Sequence, residues 1–314
     1  MPPPTNTRNV LTMAYGGPRS LDDVRPYLLD VRNHRPTSDE VVHEITERYA
    51  QIGGRSPILE LTQAQADALQ TALNHYEDGD VDTWRVWVGM RHWHPFIKDV
   101  LADMVTAGVT GAVGLVMAPH YSRMSIGAYY TRLAAAEAPF TIAQIERWHL
   151  LPGYLQAMTE RVVAALARFP TDIQASVPVI FSAHSLPERI LEWDDPYPRE
   201  LRETVAALAA RLPGQPTSFA YQSAAMTPEA WLGPDVGEII AQMAAAGERN
   251  VLIAPIGFVC EHVEILYDID VEFARQARAL GVRLERIEML NDHPALMAGL
   301  ADLVRQTAAA AGWK

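Results

Sequence analysis

The sequence predicts an α/β protein of two Rossmann-like halves, each a doubly wound parallel sheet, enclosing an interdomain cleft. Three observations predict it. The 314 residues exceed what a single hydrophobic core usually organises. Strand-like apolar runs alternate with alanine-rich helical segments in both halves, which is the grammar of parallel sheets covered by helices on both faces. Residues of unusual chemistry collect where the strands end.

In the first half the strands are expected at 10–14, 84–89, 113–118 and 140–146, and in the second at 177–183, 218–222, 251–255 and 283–288. Between them, 62–76, 154–168 and 200–211 read as helices. The boundary is expected near Leu151-Pro-Gly153, giving halves at 1–150 and 151–314. A last helix at 294–311 can pack on either half. The two halves repeat an architecture, not a sequence.

The strand ends read Met13-Ala-Tyr-Gly-Gly-Pro18, Gly89-Met-Arg-His92, Ala118-Pro-His-Tyr-Ser122, Ser182-Ala-His-Ser-Leu-Pro187 and Ala254-Pro-Ile-Gly-Phe258. Gly and Pro terminate strands without any function. Five ends together rich in His, Tyr, Arg and Gly point to the cleft, because ligands of open α/β sheets bind at the carboxyl ends of the strands.

Composition excludes several classes. A net charge of −12 argues against a general nucleic-acid binder, so an anionic ligand needs a local basic patch. The single cysteine, Cys260, excludes an intramolecular disulfide and cannot supply the thiolates of an iron–sulfur cluster. The first residues lack the apolar core of a signal peptide, and no apolar stretch approaches the roughly 20 residues of a membrane span. A soluble cytoplasmic protein is expected. No HExxH, paired Cys-x-x-Cys, GxGxxG or GxxxxGK[ST] pattern occurs, so zinc proteases, zinc ribbons and nucleotide-binding loops find no support.

The segment Glu261-His-Val-Glu-Ile-Leu-Tyr-Asp-Ile-Asp-Val-Glu-Phe273 is the most informative. As one helix it aligns Glu264, Asp268 and Glu272 on a narrow stripe, with apolar residues over most of the remaining surface. Buried carboxylates need a wet cavity or a cation; a solvated acidic face is the plainer alternative. On such a helix His262 points away from Glu264 and reads as a capping or structural group. His184 follows the strand at 177–183. A histidine there is commonly a structural hydrogen-bonder, yet its neutral form near pH 7 can take a proton or bind a metal.

Further motifs stand in order along the chain: Arg48-Tyr49 with Ile52-Gly-Gly-Arg-Ser-Pro57, then Asp195-Pro-Tyr-Pro198, Tyr221-Gln-Ser223, Thr227-Pro228, Trp231-Leu-Gly-Pro-Asp235 and Gly257-Phe-Val-Cys-Glu-His-Val-Glu264. Together with Ser182-Ala-His-Ser-Leu-Pro187 they resemble the signature run of the ferrochelatases, over about residues 9–290. The resemblance implies a chelatase-like fold and insertion of Fe2+ into a porphyrin. It implies that His184 and Glu264 form the inner metal site, with the division between base and metal donor left open. It implies that Tyr15 lies on the opposite face of the macrocycle, axial to the product iron, as in the coproporphyrin branch of the family. Arg32, Arg48, Tyr49, Ser56 and Tyr129 match porphyrin-contacting positions of that branch. His92, beside Arg91, falls where an outer metal site is completed with Asp268 and Glu272. The implied partners are a porphyrin and ferrous iron as substrates, with no tightly bound cofactor. A monomer in transient contact with neighbouring enzymes of haem synthesis is expected.

Coproporphyrin III is the expected substrate. Its four propionates suit Arg32, Arg35, Arg48 and Arg55, which stand close together in an otherwise acidic chain, and guanidinium matches carboxylate geometry. The segment after Tyr15 reads as having no exposed apolar lip for a bilayer. Protoporphyrin IX is the alternative, and Gly16-Gly-Pro18 looks equally like that branch. More distant readings are a cobalt chelatase acting on sirohydrochlorin, a non-catalytic porphyrin or haem carrier, and a two-domain sugar- or nucleotide-binding protein.

Overall fold

The computed structural model describes residues 7–75, 83–225 and 227–313. Residues 1–6, part of the stretch read as lacking a signal-peptide core, and Tyr76, the last residue of the helix expected at 62–76, lie outside them.

Among the described residues eight strands form, at all eight expected places. They are β1 (Thr7–Ala14), β2 (Thr83–Met90), β3 (Gly111–Val116), β4 (Thr141–Ile145), β5 (Val179–His184), β6 (Thr217–Gln222), β7 (Asn250–Pro255) and β8 (Arg283–Arg286). They make two four-stranded parallel sheets, ordered β2-β1-β3-β4 and β6-β5-β7-β8. The second order repeats the first, so the duplication seen as grammar in the sequence is a duplication of topology. In this order the direction of winding reverses between β1 and β3, and again between β5 and β7. Those are the points where the carboxyl ends of the strands open a crevice.

The helices are α1 (Val24–Val31), α2 (Asp39–Gln51), α3 (Ile58–Asn74), α4 (Ile97–Thr106), α5 (Ile126–Ala135), α6 (Pro152–Leu166), α7 (Tyr197–Ala209), α8 (Val236–Ala245), α9 (Val263–Leu266), α10 (Ala274–Ala279) and α11 (Pro294–Ala310), with a π-helix at Asp268–Phe273. One compact unit comprises residues 1–153 and 291–314, the other residues 154–290.

In the first unit the central strand β1 is buried from Asn9 to Ala14, which requires cover on both faces. Leu11 and Met13 pack with Ile97, Leu101 and Met104 of α4 and with Ile126 and Tyr130 of α5. The chain's last helix, α11, belongs to this unit and lies along α3. Its Arg305 donates to the carbonyls of Ala72 and Leu73 at 2.8 and 3.1 Å, filling acceptors that the end of α3 leaves open. The approach of α11 to the first turn of α6 demands glycine. A Cβ on Gly153 would stand 2.1 Å from the carbonyl oxygen of Ala295.

In the second unit β7 is equally buried, and Ile180, Val251 and Ile253 pack with Val236 and Ile240 of α8 and with Ile265, Ile269 and Phe273. The last three come from the segment expected to be one helix over 261–273. That expectation fails. One α-turn at Val263–Leu266 gives way to the π-helix, and Glu272 N–H donates to Tyr267 O, five residues back, at 2.9 Å. The wide turn keeps Ile265, Ile269 and Phe273 in the core, and such turns recur at functional sites.

Candidate active site

His184 is the last residue of β5, paired in register with Gln222 of β6. The loop that follows is held by the segment at 230–235. Ser185 Oγ donates to Leu232 O at 2.8 Å, Leu232 N–H to Leu186 O at 2.9 Å, and Glu188 N–H to Ala230 O at 2.9 Å. The motif Trp231-Leu-Gly-Pro-Asp235 therefore braces the histidine loop and then starts α8 through a capping box formed by Asp235 and Glu238. Tyr197 Oη donates to His184 O at 2.9 Å. Gly257, after β7, lies against Ala183, where an added Cβ would meet that residue's Cβ at 3.0 Å.

These constraints leave the imidazole of His184 facing Glu264. His184 Nε2 lies 3.3 Å from Glu264 Oε1, and the two side chains are 28% and 32% exposed. The Nδ1–H of His184 is spent on the carbonyl of Ser185. Burial pulls the imidazole pKa down, but the adjacent carboxylate outweighs it and holds His184 above its ordinary value. Burial likewise pushes Glu264 up, and His184, followed by His262, outweighs that and holds the carboxyl well below its usual range. Each member of the pair thus favours the charged form of the other.

His262 corrects the sequence reading. It directs Nε2 to Glu264 Oε2 at 3.1 Å, while its Nδ1 bonds Cys260 O at 3.0 Å. Its backbone is extended and its side chain makes no cap bond to α9. Because it stands before the helix instead of on it, the two-residue spacing does not turn it away. Glu264 is thus shared by two imidazoles. Cys260 is buried, and burial pushes its thiol up to about 12.

Beyond Glu264 the carboxylates diverge in environment. Asp268 is buried and accepts a short bond from Ser223 Oγ, whereas Glu272 is exposed. Among the described residues no group of three or more His, Cys, Asp or Glu could hold a metal ion as a closed cage.

In the first unit Tyr15 follows β1 at the point where the winding reverses and is 38% exposed. Its ring lies 4.5 Å from that of His92 and 5.8 Å from the guanidinium of Arg91. Arg91 also lies 5.2 Å from the ring of Tyr129, which is buried. His92 bonds Asp30 Oδ1 through Nδ1 at 2.7 Å, and Arg132 reaches the same oxygen at 3.1 Å. Its Nε2 is buried with no hydrogen-bond partner among the described residues. Burial, reinforced by Arg91, brings its pKa down to about 4 despite Asp30. Arg32 ends α1 and is exposed; Arg48 pairs with Glu44 at 2.8 Å and Arg55 with Glu60 at 2.5 Å. Tyr49 and Ser56 are buried, and Ser56 N–H donates to Pro18 O at 2.8 Å. His92 belongs to one unit, while Glu264, Asp268 and Glu272 belong to the other.

The twice-repeated α/β topology defines a chelatase-type fold. It is similar to that of SirB from Bacillus subtilis with Fe3+, at 12% identity and a TM-score of 0.59 over 98% of each chain. The ferrochelatase family model matches residues 7–308. The chain is 42% identical over 300 residues to the ferrochelatase of Herpetosiphon aurantiacus, covering 94% of this chain and 97% of that one. It is 38% identical over 302 residues to the coproporphyrin III ferrochelatase of Geobacillus kaustophilus, covering 95% of both. The chain belongs to the ferrochelatase family, enzymes that insert a metal into a porphyrin. That membership sets aside the carrier and sugar-binding readings. Among the described residues no helix is long and apolar enough to cross a membrane.

Proposed function

We propose that this ferrochelatase inserts Fe2+ into coproporphyrin III to give Fe-coproporphyrin III, with His184 and Glu264 as the metal-handling pair. The observation that carries the site assignment is the approach of His184 Nε2 to Glu264 Oε1 at 3.3 Å. The substrate assignment is supported by Tyr15, exposed at the end of β1 beside the cation of Arg91, and by the coproporphyrin III activity named for the Geobacillus relative.

A planar porphyrin hides its nitrogen lone pairs, so binding energy is spent on bending the pyrroles until they are exposed. Two N–H protons leave as Fe2+ enters. One carboxylate shared by two imidazoles suits this exchange, because a proton acceptor and a metal donor then stand side by side. His184 and Glu264 divide proton acceptance and metal donation, since imidazole suits iron and oxygen suits a divalent cation in transit. His184 first gives up the proton that Glu264 holds on it. Asp268 and Glu272 continue from Glu264 as a path for protons or iron. His92 would join an outer metal site through Nε2, the nitrogen that Asp30 leaves.

On the porphyrin side Tyr15 is axial to the product iron. Arg32 is exposed and open to a propionate, and Arg48 would have to share its guanidinium with Glu44. Tyr49, Ser56 and Tyr129, all buried, support the porphyrin wall. Leu21 and Leu29 are exposed, so the segment after Tyr15 is less polar than its sequence suggested. They stand among Arg19, Asp22, Asp23, Arg25 and Asp30, and lone exposed leucines are ordinary. In this reading the enzyme works as a cytoplasmic monomer on a water-soluble porphyrin and hands its product to a neighbouring enzyme.

The deciding experiment is anaerobic steady-state insertion of Fe2+ into coproporphyrin III and protoporphyrin IX, followed by visible absorption. A higher kcat/KM for coproporphyrin III is expected. A higher value for protoporphyrin IX, the reading that Gly16-Gly-Pro18 favours, would overturn the substrate assignment and leave the metal pair standing.

A further inference from the structure

We propose that Gln222 is a positioning residue for metal insertion: its buried amide clamps Glu264 to the strand that carries His184. This rests on the reading of His184 and Glu264 as the metal-handling pair.

Gln222 ends β6, directly opposite His184 in the sheet, and is fully buried. Its backbone carbonyl accepts the Ser185 N–H at 2.7 Å. Its side chain spans two elements, β5 and α9. Oε1 accepts from Ser182 Oγ of β5 at 2.7 Å, and Nε2 donates to the backbone carbonyl of Glu264 at 2.9 Å. A carbonyl can only accept, so the amide has one orientation, with nitrogen toward Glu264. Nε2 also reaches Ser223 Oγ at 3.4 Å, and that hydroxyl donates to Asp268. One side chain thus ties Ser182, two residues before His184, to the main chain of Glu264 and to the next carboxylate.

The clamp sits where the main chain needs it. Glu264 lies in a single α-turn of four residues that passes at once into the π-helix. So short a turn does not hold a side chain in place by its own cooperativity. Yet Oε1 and Oε2 of Glu264 must stay at 3.3 and 3.1 Å from two different imidazoles. An error near 1 Å in such a placement costs about a hundredfold in rate.

The test uses the full-length enzyme with Gln222→Leu, Glu264→Gln and the double variant. Three quantities are read: kcat and KM for iron insertion, porphyrin affinity by fluorescence quenching, and the thermal melting curve. Gln222→Leu is expected to lower kcat about a hundredfold, with porphyrin affinity within about twofold of wild type. In the Glu264→Gln background the same substitution is expected to cost less than about threefold further, because it acts through that carboxylate. Should Gln222→Leu fail to fold, Gln222→Glu keeps the acceptor for Ser182 and removes the donor to Glu264, with the same expected pattern. A folded Gln222→Leu with wild-type kcat, beside an inactive Glu264→Gln, would sink the clamp and spare the pair. Equal fractional losses with and without the Glu264 carboxylate would also sink it. A fully active Glu264→Gln would remove the pair, and the clamp with it.

Discussion

His262 Nε2 lies 3.1 Å from Glu264 Oε2, the carboxylate oxygen that His184 leaves. Each oxygen of this half-buried acid therefore has its own imidazole. The carboxylate is held ionised in a partly dry site, where an unpaired charge would be costly. Three predictions follow from this neighbourhood and from its counterpart around His92.

Removing either member of the pair should stop the chemistry and spare the substrate. His184→Ala is expected to lower kcat by roughly a hundred- to ten-thousandfold, the usual contribution of a positioned proton acceptor. Glu264→Gln keeps the shape and removes the charge, and should cost at least about a hundredfold. Porphyrin affinity, read by fluorescence quenching, should stay close to wild type in both. Near-normal turnover by either variant would refute the assignment.

The pH dependence follows from the direction of the His184 shift. Its carboxylate neighbour raises the pKa, so the neutral imidazole is scarce until the pH passes above the ordinary value of about 6.5. Insertion should therefore rise with pH through a transition above that value. Glu264→Gln removes the group that favours imidazolium while burial still opposes it, so residual activity should show the transition at lower pH. Rate profiles of kcat/KM for both proteins measure this. A variant transition that stays put or moves up would contradict the coupling.

His92 makes the fold acid-sensitive. Its folded-state pKa is down to about 4, against about 6.5 unfolded. Folding then requires the neutral ring: this contribution is intact above the unfolded pKa and drains away as the pH falls from about 6.5 to about 4. The full loss is on the order of 3 kcal/mol, and the side chain is only 3% exposed, so screening reduces it little. His92→Asn keeps a donor toward Asp30 and cannot titrate. Between pH 7 and pH 4.5 its melting temperature should fall less than that of the wild type. Equal falls would show that other groups govern the acid limb.

Much of the fold was legible because parallel strands buried on both faces must be apolar runs, and helices of a doubly wound sheet must lie between them. The eight strands among the described residues, their parallel pairing and the strand-end location of His184 follow from that local pattern. The strand order does not, because crossover connections of similar length serve either neighbour. Nor does the placement of α11, whose apolar face would suit either unit; Arg305 on the carbonyls of α3 and the glycine at Gly153 decide it.

The site divides in the same way. Residue types and order along the chain determined the family, and pointed to His184 and Glu264 as a candidate pair. What tertiary structure alone decided is how Glu264 is held. A regular helix over 261–273 would turn His262 away from Glu264, but the helix starts after His262 and widens into a π-turn at Asp268. That shape keeps Ile265, Ile269 and Phe273 in the core and leaves the Glu264 carbonyl to Gln222. Periodicity measures which faces are apolar. It does not record where a helix changes pitch, because that depends on bonds from residues about forty positions away.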